Sequence, residues 1–186
     1  MAVMFLDIRG FTPIAEKMIP EELIEYQNNV FGFMIEIIRE CHGNINQFMG
    51  DGFMATFGAP ITHGNDSRNA YLAATRILEE IKIHNDSKQI PFTTLGIGIH
   101  AGYDVTGNVG TESRKQFSLT GNTVIIAARV EQLNKRYNTQ LIITEDVFKS
   151  LEQGDWTGNP KMKPVMVKGR TEPVKILVYS EKESVV

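Results

Sequence analysis

The sequence has little cysteine, no excess of basic residues and no long apolar run, and each shortage excludes a class of protein. Cys41 is the one cysteine among 186 residues, so an intramolecular disulfide is impossible and a reducing compartment is expected. Lysine and arginine total 19 against 22 aspartate and glutamate, a formal charge of -3, which argues against a nucleic-acid partner. No apolar run approaches the roughly 20 residues that cross a bilayer. We therefore expect a cytoplasmic globular chain, with membrane attachment only through segments outside it.

The length and composition predict a single domain over residues 1–186. Hydrophobic residues make up 42% of the chain and charged residues 22%, as in ordinary globular proteins. The sequence begins directly with an apolar strand at Ala2, with no signal-peptide pattern. This start leads us to expect a domain cut from a longer, regulated polypeptide that carries a sensor or a membrane anchor elsewhere.

Hydrophobic spacing predicts the element order β-α-β-β-α-β, followed by α-β-α-β-β. The first six elements match the ferredoxin-like motif, an antiparallel sheet with helices on one face, so the predicted fold class is α/β of the α+β kind. Pro20 suits the first turn of a long helix, and Gly43 is expected to end that helix as its C-cap. Glycines at 96 and 98 alternate with apolar residues, which indicates close packing on one face of their strand. The main strands are expected at residues 2–8, 44–49, 53–57, 93–99, 116–120, 140–144, 165–167 and 174–179.

Two aspartates, Asp7 and Asp51, stand at strand ends in apolar surroundings, where an ionised carboxylate is costly unless it is paired or metal-bound. Glycines on both sides of Asp51 predict a tight hairpin turn. In the ferredoxin-like order that hairpin can lie beside the first strand, so the two carboxylates can share one site. Two carboxylates suit Mg²⁺ or Mn²⁺, with phosphate oxygens and water as the other ligands. The alternative is that each acid only caps a turn or a helix.

The turn that follows the first strand is a second, weaker signal. Ile8-Arg9-Gly10-Phe11-Thr12 joins a strand to a helix through a glycine, and the backbone N–H groups of such a turn can bind a phosphate. A glycine before a helix is also commonly an ordinary turn. Arg9 either takes part in this loop or points to solvent.

Five segments together resemble the catalytic domain of the class III adenylyl and guanylyl cyclases. They cover nearly the whole chain in the order that the family has them. Each segment is moderately specific, and five in sequence leave little room for chance. The segments are FLDIRGFT at Phe5 to Thr12, FMGDGFMATFG at Phe48 to Gly58, GIGIHAG and GNVG between Gly96 and Gly110, FSLTGNTVIIAARVEQLNK at Phe117 to Lys135, and VKGRTEPVKILVY at Val167 to Tyr179.

The resemblance implies an α/β sandwich in which two such domains pair head to tail and form active sites in the cleft between them. It also implies conversion of ATP or GTP into a 3′,5′-cyclic monophosphate and pyrophosphate. One subunit would supply Asp7, Asp51 and the backbone carbonyl of Ile8 to two Mg²⁺ or Mn²⁺ ions. The loop of residues 8–12 would hold phosphates.

The partner subunit would supply base recognition and charge stabilisation. Arg129 matches the arginine that stabilises charge on the α-phosphate, and Lys168 matches the phosphate-binding lysine. Three other positions depart from the family's usual pattern. Gln47 stands where adenylyl cyclases commonly have lysine and guanylyl cyclases glutamate, and Ser118 stands where adenylyl cyclases usually have aspartate or threonine. Ile125, four residues before Arg129, replaces the usual asparagine and cannot donate a hydrogen bond to ribose or phosphate.

These departures leave three interpretations open. In the first, a homodimer converts ATP to cyclic AMP with variant recognition groups. Position 47 is glutamine and not glutamate, which argues against ordinary guanine recognition and makes GTP the less favoured substrate. In the second, the chain is the metal-donating half of a heterodimer whose partner supplies the recognition half. In the third, the chain is a regulatory module that binds nucleotide without useful turnover.

Overall fold

The computed structural model describes residues 1–111, 114–156 and 160–179. For residues 105–111 and 114–120 it describes the backbone, and the exposure of a residue only at Gly107 and Leu119. The side chain of Ser118 therefore lies outside the described part of the chain. Within these ranges, no helix is both long and apolar enough to cross a membrane.

The described residues form nine strands and five helices. The strands are β1 (Ala2–Ile8), β2 (Gly43–Phe48), β3 (Gly52–Phe57), β4 (Leu95–Ala101), β5 (Val105–Thr111), β6 (Arg114–Thr120), β7 (Leu141–Thr144), β8 (Met162–Val165) and β9 (Val174–Val178). The helices are α1 (Phe11–Ala15), α2 (Pro20–Glu40), α3 (Asp66–Asp86), α4 (Asn122–Tyr137) and α5 (Glu145–Phe148). Seven strands form one sheet in the order β2-β3-β1-β4-β7-β9-β8, antiparallel except between β4 and β7, while β5 and β6 pair separately. The predicted antiparallel sheet with flanking helices is thus confirmed.

Strand β1, an inner strand of the sheet, is covered by helices on both faces. Met4 and Leu6 are buried in the main core cluster with residues of α2 and α3. Val3 points the other way, into a smaller cluster with Ala127 of α4. A strand that is buried on both faces reads as an unbroken apolar run, which explains the sequence of β1. Because side chains alternate along a strand, Asp7 lies on the face that α4 covers.

Gly43 does not cap the preceding helix, as was predicted. Helix α2 ends earlier, at Glu40, and the residue with the positive φ of 61° is His42. Gly43 is the first residue of β2, where a Cβ would overlap the ring of Phe57 and lie 2.7 Å from Ile38 Cγ2. The glycine is required by packing between a helix and the sheet and not by the helix end.

The strand predicted at residues 93–99 begins two residues later, as β4. The Asn85 side chain near the end of α3 accepts a hydrogen bond from the Thr93 N–H at 2.8 Å and donates one to the Thr93 carbonyl at 2.7 Å. These bonds occupy the backbone groups that a sheet ladder would use. The strand therefore starts beyond Thr93.

Candidate active site

Asp7 and Asp51 lie side by side, which confirms the predicted adjacency of the first strand and the hairpin. In the pairing of β1 with β3, Asp7 is opposite Gly52. The Ile8 N–H donates to the Asp51 carbonyl at 2.9 Å. Both aspartates line an opening of about 280 Å³, together with Phe5, Leu6, Met49, Gly52, Ala128, Glu131 and Gln132. Two acids from separate elements thus share one opening at the end of β1.

The hairpin approaches β1 this closely because a glycine stands on each side of Asp51. Gly50 has a φ of +75°, a conformation that favours glycine. Gly52 is needed for a different reason, since a Cβ there would overlap the backbone of β1 and lie 2.9 Å from Asp7 Cα. The Gln27 amide donates to the Gly50 carbonyl at 2.8 Å and so ties the turn to α2.

Asp7 has the surroundings of a ligand-binding group. The side chain as a whole is 34% exposed, yet its Oδ1 is buried and has no hydrogen-bond partner among the described residues. Arg9 Nε lies 3.6 Å from this oxygen, beyond ordinary hydrogen-bonding distance. Burial raises the pKa of Asp7 above its ordinary value; Arg9 opposes the rise and Asp51 adds to it. A bound cation would satisfy the oxygen and stabilise the ionised carboxylate.

The two aspartates fit a hard divalent cation in kind, since carboxylate oxygens are the ligands that Mg²⁺ and Mn²⁺ prefer. In number they are too few. Across the residues that the structure describes, no group of three or more His, Cys, Asp or Glu side chains is placed to hold a metal ion. A cation here would need further oxygens from the main chain, water or a nucleotide phosphate.

A third carboxylate, Glu131 of α4, lines the same opening, although no role was predicted for it from the sequence. Glu131 Oε1 accepts a hydrogen bond from Arg9 Nη2 at 2.6 Å, and its backbone carbonyl accepts one from the same nitrogen at 3.3 Å. The interpretation that Arg9 points to solvent is therefore wrong. Burial and then the neighbouring Asp7 raise the pKa of Glu131 to about 7, while Arg9 opposes the rise. Two carboxyl groups share one guanidinium, and an added cation would favour the ionised form of both.

Two sequence patterns point to this contact in retrospect. Glu131 lies four residues after Ala127, on the buried stripe of α4, where an acid needs a partner. On β4, the predicted close packing at the two glycines is confirmed. A Cβ at Gly96 would overlap the Arg9 guanidinium, and a Cβ at Gly98 would overlap the backbone of Glu131.

Residues 8–12, the candidate phosphate loop, comprise the end of β1, a turn at Arg9 and Gly10, and the start of α1. The N–H groups of Ile8 and Arg9 already donate to backbone carbonyls of neighbouring segments. Gly10, with a φ of +64°, and Thr12 are exposed, whereas Phe11 packs against the core. The first N–H groups of α1, at residues 11 and 12, have no partner within the helix and can meet a phosphate.

Ile125 and Arg129 lie one turn apart on an accessible part of α4, as their spacing predicts. Ile125 is 56% exposed. Arg129 is half-buried, and its Nη1 donates to Gln132 Oε1 at 2.9 Å. The start of the helix is held by Asp104, whose carboxylate accepts two backbone N–H groups of the first turn at 3.2 Å. Neither Ile125 nor Arg129 lines the opening that holds the two aspartates.

Gln47 and Lys168, two further predicted site residues, do not line that opening. Gln47 is exposed on β2, directly after a register shift in the pairing with β3. Such bulges often redirect side chains beside functional sites. Lys168 is exposed in the loop between β8 and β9, next to Gly169 with its φ of +92°. The backbone of Ser118 pairs with Gly107 in the β5–β6 ladder, and its side chain is outside the described part.

The chain belongs to the adenylate and guanylate cyclase catalytic domain family, whose model it matches over residues 1–180. An adenylate cyclase of Anabaena cylindrica is 34% identical over 184 residues, which are 95% of this chain and 36% of that protein. Among solved structures, the guanylyl cyclase Cya2 is similar with a TM-score of 0.82 and 29% identity, covering 95% of this chain and 89% of that one. The adenylyl cyclase CyaB from P. aeruginosa is similar with a TM-score of 0.83 and 26% identity, covering 100% of this chain and 96% of that one.

The similarity shows the family and the fold. The relatives named above include both adenylyl and guanylyl cyclases. The chain spans only a part of the curated proteins that it matches. It covers 36% of the Anabaena protein and 22% and 8% of two further adenylate cyclases. What such longer proteins do as a whole is therefore separate from what this chain can do.

Proposed function

We propose that this chain converts ATP into 3′,5′-cyclic AMP and pyrophosphate at sites shared between two head-to-tail copies. The observation that carries the proposal is the meeting of Asp7 and Asp51 in one opening, with Asp7 Oδ1 buried and without a hydrogen-bond partner in the described structure. A buried acceptor without a partner costs stability. Its presence is explained if the carboxylate binds a cation.

In this proposal, Asp7, Asp51 and the backbone carbonyl of Ile8 hold two Mg²⁺ or Mn²⁺ ions. Bound there, the ions would help to deprotonate the ribose 3′-hydroxyl and would offset charge on the pyrophosphate leaving group. The carboxylates that the described structure places here are too few to complete the coordination, which leaves room for triphosphate oxygens and water. The backbone of residues 10–12 would bind the phosphates from the same side of the cleft.

The second copy would complete each site. Arg129 is accessible on α4 yet does not line the opening of its own chain, which is the placement that a residue serving the partner's site requires. Its guanidinium would stabilise charge on the α-phosphate, and Lys168 would add a second positive charge for the phosphates. A symmetric pair of copies would hold two such sites.

Gln47 and Ser118 would read the base. Gln47 is exposed on β2, and its amide both donates and accepts, so it can pair with adenine. Glutamate, the usual residue of guanylyl cyclases, is absent from position 47. The similarity to the Anabaena adenylate cyclase also favours ATP over GTP.

One observation favours a second candidate, the metal-donating half of a heterodimer. Ile125 has an aliphatic side chain at the position where the family usually has asparagine. Because 56% of this residue is exposed, packing in the core does not explain the isoleucine. Both aspartates of the proposed metal site are present, whereas the recognition side lacks this donor. A partner with an intact recognition side would then supply full activity.

The purified chain is expected to form cyclic AMP from ATP with Mn²⁺ or Mg²⁺. Since each site needs two copies, the rate per chain should rise with protein concentration until the dimer is saturated. Chromatography of ATP and GTP reactions run side by side measures both products. Cyclic GMP as the main product would overturn the choice of base. Nucleotide binding without either product would favour the heterodimer half or a regulatory module that does not turn over.

The variant Gln47→Lys tests whether this position reads the base. Lysine only donates, which suits the ring-nitrogen acceptor of adenine and not the N–H that guanine presents there. The ATP-to-GTP ratio of kcat/KM should rise by about tenfold, the worth of one hydrogen bond to a charged group. Gln89→Lys places the same charge at an exposed position between α3 and β4 and should leave the ratio unchanged. An unaltered ratio in Gln47→Lys would remove this residue from base recognition.

A further inference from the structure

Arg9 and Glu131 form an enclosed ion pair beside the proposed metal site, and the reaction as described above uses neither of them. The Glu131 side chain is 10% exposed and that of Arg9 is 24% exposed. Arg9 Nη2 is 2.6 Å from Glu131 Oε1, whereas Arg9 Nε stays 3.6 Å from Asp7 Oδ1. The guanidinium is therefore bonded to α4 and only approaches the carboxylate of β1.

The backbone of β4 fixes this arrangement. The Arg9 guanidinium lies against Gly96, where any Cβ would overlap it, and α4 lies against Gly98, where a Cβ would overlap the backbone of Glu131. Arg9 is thus held between the sheet and the helix, bonded through Nη2 to Glu131 and with Nε facing Asp7. Asp7 is the other carboxylate within ion-pair distance of the guanidinium in the described structure, since Arg9 Nε is 3.6 Å from Asp7 Oδ1.

We propose that Glu131 is a positioning residue that holds Arg9 away from Asp7 and so keeps Asp7 available to a divalent cation. This inference rests on the proposed metal site. A hydrogen-bonded pair between Arg9 and Asp7 would occupy the carboxylate oxygen that the cation needs. Glu131 provides the other partner and balances the positive charge next to the opening. The lack of any hydrogen-bond partner for Asp7 Oδ1 among the described groups agrees with this division of roles.

The variant Glu131→Gln tests the proposal, because it keeps the size of the side chain and removes its charge. Arg9 should then turn to Asp7, and the Kd for Mn²⁺ should rise by about tenfold or more, as for other residues that orient metal ligands. Electron paramagnetic resonance of free Mn²⁺ measures this binding at high protein concentration without nucleotide, with Asp7→Asn as the blank. Thermal unfolding of each variant is recorded alongside, since the pair also ties α4 to the sheet.

The double variant Arg9→Gln/Glu131→Gln separates positioning from stability. With no guanidinium left to occupy Asp7, it should recover most of the Mn²⁺ affinity that Glu131→Gln loses. Glu40→Gln removes an exposed ion pair with Arg76 on other elements, and as the matched control it should leave Mn²⁺ binding unchanged.

Three results would overturn the inference. Mn²⁺ binding that is unchanged in Glu131→Gln would do so. A double variant that binds Mn²⁺ as weakly as Glu131→Gln would also do so, because the loss would then be structural. Absence of Asp7-dependent Mn²⁺ binding in the unaltered chain would refute the metal site itself. Normal Mn²⁺ binding without turnover would instead fault only the proposed activity, and the inference on Glu131 would stand on the binding data.

Discussion

Asp7→Asn is expected to lower cyclic nucleotide formation by about 10³-fold while leaving the fold at least as stable as before. Asparagine keeps the shape of the side chain but cannot carry the negative charge that the proposed metal site requires. Losing a metal-bound carboxylate removes several kcal/mol of transition-state stabilisation, and about 4 kcal/mol corresponds to this factor. The measurement is kcat for cyclic AMP formation, with circular dichroism to follow the fold.

The stability half of this prediction follows from the pKa of Asp7. Burial raises that pKa above its ordinary value, so the folded chain holds the proton more tightly than the unfolded chain does. The free energy of unfolding therefore falls as the pH rises above the ordinary aspartate range, and the ionised carboxylate costs stability at pH 7. Asparagine is neutral at every pH. The Tm of Asp7→Asn should equal or exceed that of the unaltered chain at pH 7, with an advantage that shrinks toward pH 4.

Asp86→Asn is the matched control for this variant. It makes the same change at an exposed position at the end of α3, and it should leave the activity unchanged. Retention of more than about a tenth of the activity in Asp7→Asn would contradict the two-metal assignment. A large fall in Tm would show that Asp7 serves the fold and not the reaction.

Ile125→Asn is expected to raise turnover by about 10- to 100-fold. Asparagine adds an oriented donor on the accessible part of α4, one turn before Arg129, and removal of one such donor from an active site typically costs about 10²–10³ in kcat. Since Ile125 is 56% exposed, its replacement should change the free energy of unfolding by no more than about 0.5 kcal/mol. The gain should appear in kcat at saturating ATP and metal.

Two control variants identify the cause of any gain. Ile125→Ala removes the isoleucine without adding a donor and should not raise kcat. Ile83→Asn makes the same chemical change at a 58% exposed position of α3 and should also have no effect. An equal gain in kcat in Ile125→Ala would mean that the size of the isoleucine side chain had limited turnover. No gain in Ile125→Asn would mean that other groups already replace the missing donor.

The placement of the two aspartates that we propose as metal ligands could be predicted from the sequence because its signals are local. Asp7 ends an apolar strand, and Asp51 sits between two glycines in a hairpin, so the element order alone places them together. The spacing of Ile125 and Arg129 likewise placed them on one part of a helix, since residues four apart in a helix are neighbours.

The features that were missed depend on contacts between distant segments. Gly43 has the local pattern of a helix cap, yet glycine is needed there because a Cβ would overlap the ring of Phe57 on the neighbouring strand. The bond between Arg9 and Glu131 depends on how closely both residues approach β4, and two glycines of that strand allow the close approach. Periodicity shows that a residue is buried but not which partner it meets.

The most direct test of the shared site mixes two variants that are each defective in a different half. Asp7→Asn damages the metal half and Arg129→Ala the half that serves the partner, so each alone should be nearly inactive. In a mixed head-to-tail dimer one of the two sites contains both intact halves. Equal amounts pairing at random should therefore recover about a quarter of the activity of the unaltered chain. Differently tagged copies show that mixed dimers form, and a mixture of Asp7→Asn with Asp51→Asn should recover nothing. Recovery in the first mixture alone is the predicted result; mixed dimers that remain inactive would contradict a catalytic site built from Asp7 of one copy and Arg129 of the other.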